Sequence, residues 1–71
     1  MSHRAYIYLQ PPGIKIAIDL GEKELEMRPT RHGRARFEHE GIPQAGHIEQ
    51  VDPPDWEARG AIPKVLVVQR Q

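Results

Sequence analysis

The sequence predicts a small all-β domain: an antiparallel sheet of five to six short strands, bent towards a barrel, with one short helical turn before the last strand. Three observations carry this. Apolar and polar residues alternate at period two in several short stretches. Gly and Pro separate those stretches at short intervals. Near the end, Asp52-Pro53-Pro54-Asp55 has the composition of a helix start, and Arg59-Gly60 that of a helix end. The 71 residues form a single domain, 1–71, without room for a second core.

Taken in order, Arg4–Gln10 is the first strand. In Tyr6-Ile7-Tyr8-Leu9 both phases are apolar, which predicts cover on two sides. Tyr6 and Tyr8 are expected at the edge of the core, ring buried and hydroxyl wet. Their functional alternative is an aromatic platform for a base or a proline-rich peptide. Pro11-Pro12-Gly13 turns the chain into Ile14–Leu20, where Ile14, Ile16, Ile18 and Leu20 alternate with Lys15, Ala17 and Asp19. This stretch has the strongest alternation in the chain and is expected to be the central strand.

Gly21-Glu22 suits a hairpin into Lys23–Arg28, with Leu25 and Met27 facing the core and Glu24, Glu26 and Arg28 facing water. Pro29–Gly33 forms the next loop, and Arg34–Glu40 returns with Ala35, Phe37 and His39 on one face. Gly41–Gly46, with three breakers in six residues, is a connection to a short strand, His47–Val51. Asp52 then caps a helical turn that opens on Pro53 and carries Trp56 as a plug for one end of the barrel. Lys64–Arg70 is the last strand. It is apolar in both phases at Val65–Val68, so it is either central, beside the first strand, or paired with another subunit.

Charge narrows the function. Ten basic and ten acidic residues balance to zero, which removes the simplest argument for a nucleic-acid binder. The charges are nevertheless segregated. Residues 28–36 hold Arg28, Arg31, Arg34 and Arg36, plus His32, and no acid; residues 37–58 hold six acids and no Lys or Arg. Cross-strand pairing of Glu24 and Glu26 with Arg34 or Arg36 accounts for part of this pattern, though not for Arg31 at the loop tip.

The catalytic classes find little to use. Cysteine is absent, Ser2 and Thr30 are the only aliphatic hydroxyls, and no phosphate-cradling Gly-rich loop occurs. Glu24 and Glu26 have no apolar neighbours to raise a pKa and are expected as a solvated face. His39 and His47 could approach each other across a bend, but their spacing matches no metal motif. No metal, cofactor or enzymatic activity is expected. Apolar runs are too short to span a membrane, no leader-like apolar core follows Met1, and a cytoplasmic setting is expected.

The order of elements, with a single helical turn before the final strand, is similar to the Src-homology-3-like barrels. The acidic and aromatic signature of their peptide-binding members is missing, so proline-peptide binding does not carry over. Two functions remain. The first is a small non-catalytic protein–protein interaction or self-assembly module, a homo-oligomer among its forms, using the terminal strands, Trp56 and the acidic stretch 49–57. The second is a nucleic-acid-binding barrel using Arg28, Arg31, His32, Arg34 and Arg36, with Tyr6 or Tyr8 as a stacking platform.

Overall fold

A computed structural model describes residues 3–70; Ser2 lies outside them. The strands are β1 (His3–Gln10), β2 (Ile18–Leu25), β3 (Arg34–His39), β4 (Ile42–Asp52) and β5 (Lys64–Val68), with one helical turn, α1 (Trp56–Arg59), between β4 and β5. They form one five-stranded sheet in the order β2-β1-β5-β4-β3, curved into a half-barrel of the small SH3-like kind.

The apolar residues fix the curvature. Alternate side chains of β1, β3 and β5 (Ala5, Ile7, Leu9; Ala35, Phe37; Val65, Val67) point inward with Leu25, Ile48 and Val51 and make one buried core. The last strand is central, one of the two places expected of it, but the core covers only its Val65 and Val67 face, not both faces as its two apolar phases predict. It pairs antiparallel with β4 and parallel with β1, Tyr8 opposite Leu66. This parallel β1–β5 pair makes the sheet mixed, in place of the wholly antiparallel sheet that the sequence predicts.

The expected central strand is not central. Ile14, Ile16 and Ile18 are 47%, 73% and 47% exposed, residues 14–17 lie outside any strand, and β2 is an edge. Two local features explain the difference. Pro11-Pro12 ends β1, and the Ile14 N–H donates to the Pro11 carbonyl at 3.1 Å, folding the chain away from the ladder. Pairing then resumes only at Leu9–Ile18.

Gly21-Glu22 is likewise not a hairpin. The β1–β2 register jumps from Ile7–Gly21 to Tyr8–Asp19, leaving Leu20 as the extra residue of a bulge. Gly21 supplies its positive φ of 78°, and its N–H is held by Asp19 Oδ1 at 2.8 Å. Beyond Leu25 the strand ends, so Met27 is 66% exposed instead of reaching the core.

The expected connection over 41–46 is strand. Glu40 and Gly41 alone make the turn, both at positive φ as a two-residue hairpin requires, and β4 starts at Ile42. Pro43 is tolerated because β5 does not extend that far along β4: their pairing begins at His47, so the missing N–H faces no neighbour strand. Asp52 ends β4 opposite Lys64 and caps nothing; Asp55 occupies the N-cap position.

At the open side of the half-barrel β2 and β3 approach each other. One backbone bond, Glu26 N–H to the Arg36 carbonyl at 3.3 Å, bridges them.

Candidate functional site

The residues singled out in the sequence divide between two places. Arg34 and Arg36 follow β3's polar phase, on the outer face of the sheet, away from Ala35 and Phe37. Arg34 stands opposite His47 on β4, whose ring centroid lies 6.0 Å from that of His32. The loop bearing His32 is tied to β4 by two bonds, His32 N–H to the Ile48 carbonyl and Ile48 N–H to the Gly33 carbonyl, both 2.8 Å. These bonds place Arg34, His47 and His32 together at one corner of the outer face.

Arg28 and Arg31 lie elsewhere. With Pro29, Thr30, Asp52 and Trp56 they line a surface groove beside α1. Trp56 is half-buried there and packs on the core, between the expected plug and a surface anchor. The basic cluster of residues 28–36 is therefore not one surface.

Nor do the expected ion pairs account for it. Glu24 and Glu22 both reach Arg4, at 3.3 and 3.4 Å, because Glu24 stands directly opposite it across the β1–β2 ladder and Glu22 is the diagonal neighbour. Arg28 is taken by Glu57, which holds the Glu57 carboxyl below the usual carboxylate range through the hydrogen bond it receives. Among the described residues, no carboxylate oxygen lies within 4.0 Å of Arg31, Arg34 or Arg36. Glu24 and Glu26 are exposed, as expected of a solvated face.

Tyr6 and Tyr8 are not core-edge residues. Ala5, Ile7 and Leu9 fill β1's inward positions, so both tyrosines project from the outer face, Tyr6 at 40% exposure. Beside them on β5, Leu66 and Val68 occupy the same face and are half-buried. The two central strands thus present an apolar strip of Tyr6, Tyr8, Leu66 and Val68 on the side away from the core. Sequence reasoning did not single out Leu66 and Val68, although their signal was the two-phase apolar run at 65–68. A row across the same face runs Gln10, Val68, His47, Arg34, so the strip and the basic corner are continuous. Three strand spacings, about 14 Å, separate β1 from β3, so the tyrosines and Arg34 lie at different places on this face.

The histidines that meet are not the pair that the sequence allowed to approach. His39 and His47 sit at opposite ends of the β3–β4 ladder, and His47 meets His32 instead. Among the described residues, no group of three or more His, Asp or Glu side chains is arranged to hold a metal ion, and no helix is long and apolar enough to cross a membrane. Comparison with family models, with curated proteins and with solved structures finds no match to this chain.

Proposed function

We propose that this chain is a small non-catalytic interaction module that binds protein, a partner or a second copy of itself, through the outer face of β1 and β5. One observation carries the reading: the strip of Tyr6, Tyr8, Leu66 and Val68 lies on β1 and β5, facing away from the core, and among the described residues no helix or strand packs as a layer over it. A sheet with two apolar faces is stable when both are covered, and the core covers only one. Aromatic and aliphatic side chains that are already rigid and half-desolvated make efficient anchors. A cytoplasmic setting belongs to the same proposal.

A second reading, nucleic-acid binding, is favoured by the arginines without carboxylate partners. Arg31, Arg34 and Arg36 are free to meet phosphates, and His32 and His47 extend the corner.

An amide-resolved NMR study separates the two. The protein-binding reading expects shifts and line broadening at Tyr6, Tyr8, Leu66 and Val68 that grow with concentration, together with a rising mass in sedimentation, both abolished by Leu66→Lys. A mixed-sequence DNA duplex or RNA should leave that strip unmoved. Salt-sensitive shifts centred on 31–36, lost in the Arg31→Ala, Arg34→Ala variant, would replace the first reading with the second. A spectrum indifferent to concentration and to nucleic acid would overturn self-association and nucleic-acid binding together.

A further inference from the structure

The seam between β2 and β3 is a second surface, separate from the outer strip. β2 and β3 run antiparallel, and the bond from Glu26 N–H to the Arg36 carbonyl sets their register. Continued past that bond, the register places Leu25 opposite Phe37 and Glu24 opposite Glu38. The ladder does not continue. An open wedge of about 690 Å³ lies there instead, lined by Glu24, Leu25, Glu26, Arg36, Phe37 and Glu38, with the start of β4 behind.

The sequence supplies a physical cause. Like charges directly opposite each other destabilise an antiparallel pair, and the next outward-facing pair after Glu26–Arg36 is Glu24–Glu38. The apolar side is sound: Leu25 and Phe37 are 2% and 5% exposed and belong to the core. The strands are therefore compatible inside and repulsive outside, which holds the barrel open along one line. β3's free edge beyond Arg36 keeps unpaired backbone groups that can accept another strand.

We infer that this seam accepts an extended protein segment, apolar at alternate positions and carrying Lys or Arg between them, which completes the barrel by strand addition. Its apolar side chains pack at the margin of the core beside Leu25 and Phe37, and its cations face Glu26 and Glu38, with Glu24 already shared with Arg4. Glu26 and Glu38 have no ion-pair partner among the described residues, so Glu24, Glu26 and Glu38 outnumber Arg4 and Arg36 and leave the seam acidic. That sets the sign of the partner and disfavours a phosphate backbone at this place. The inference does not depend on the outer strip being occupied.

The test uses the whole chain and two capped synthetic heptapeptides, one alternating lysine with valine and one alternating glutamate with valine. The lysine peptide should give saturable amide shifts at residues 24–26 and 36–38, weakened by salt, with at least tenfold lower affinity for the glutamate peptide. Glu38→Lys should abolish those shifts. Because it sets opposite charges across the seam, it should also raise the unfolding midpoint, a readout that mere misfolding would move the other way. The inference is overturned by equal response to both peptides, by absence of shifts at the seam, or by shifts confined to Tyr6, Tyr8, Leu66 and Val68; the last result would leave the outer-face reading standing.

Discussion

Arg28, three residues past the end of β2, donates from its guanidinium to the carboxylate of Glu57 in α1. The pair ties the loop after β2 to the helical turn across 29 residues of sequence. Both side chains are solvent-exposed, so the link orients more than it stabilises.

A pH dependence follows. The hydrogen bond from Arg28 is the largest cause of the lowered Glu57 pKa, and burial opposes it. A carboxylate depressed in the folded state contributes stability above its unfolded value, about 4.3, and loses it as pH falls through the folded value. Arg28 is shifted upward, so its contribution stays complete over the whole working range. NMR titration of Glu57 should therefore give a midpoint below the ordinary range in the native chain and a normal one in Arg28→Ala. The same midpoint in both proteins would remove the pair from solution.

Two isoleucines test which strand is central. Ile7 is fully buried in β1, whereas Ile16 is 73% exposed. Ile7→Ala should cost about 2–5 kcal/mol in urea denaturation, enough to unfold much of a small domain. Ile16→Ala should stay within about 0.5 kcal/mol. A comparable loss at Ile16 would mean that the 14–18 segment is buried in solution.

Gly46 and Gly41 should fail for different reasons. A Cβ on Gly46 would sit 2.5 Å from Val67 Cγ1 and 3.1 Å from the Val68 carbonyl, so Gly46→Ala forces β4 away from β5 at the core. A loss of about 1–3 kcal/mol is expected. Gly41 has open space but a φ of 78°, and Gly41→Ala should cost about 1 kcal/mol through backbone strain alone. Denaturation midpoints in the reverse order would contradict the tight β4–β5 approach.

Hydrogen exchange offers an independent check on strand order. Amides of β1, β5 and β4 bonded within the ladders should be the slowest, because these three strands are flanked on both sides. Residues 14–17, which lie in no strand, should exchange fastest among the apolar stretches. Slow exchange there would restore a paired strand.

Much of the architecture is legible from periodicity. The alternation in Arg34–His39 marks a half-buried strand, and the two-phase run at Val65–Val68 marks a strand with a neighbour on each side, although the core covers only its Val65 and Val67 face. Ile14–Leu20 misleads for a related reason: alternation describes a face, not a neighbour. Whether a neighbour is present depends on Pro11-Pro12 ending β1 and on Gly21 being used for a bulge instead of a turn. The arginine cluster looked like one site because sequence proximity stood in for spatial proximity. In the fold, Arg28 finds Glu57, 29 residues away, while Arg34 stands opposite His47 across the β3–β4 ladder. Neither neighbour can be read from the spacing of the arginines.

That order has a kinetic consequence. Because β5 lies between β1 and β4, the hairpin-like halves β1–β2 and β3–β4 share no ladder until Lys64–Val68 is in place. Lys64–Val68 therefore acts as the zipper that joins the two halves of the sheet. Folding of this kind is governed by closure between distant parts of the chain, and millisecond-to-second rates are the range for such topologies.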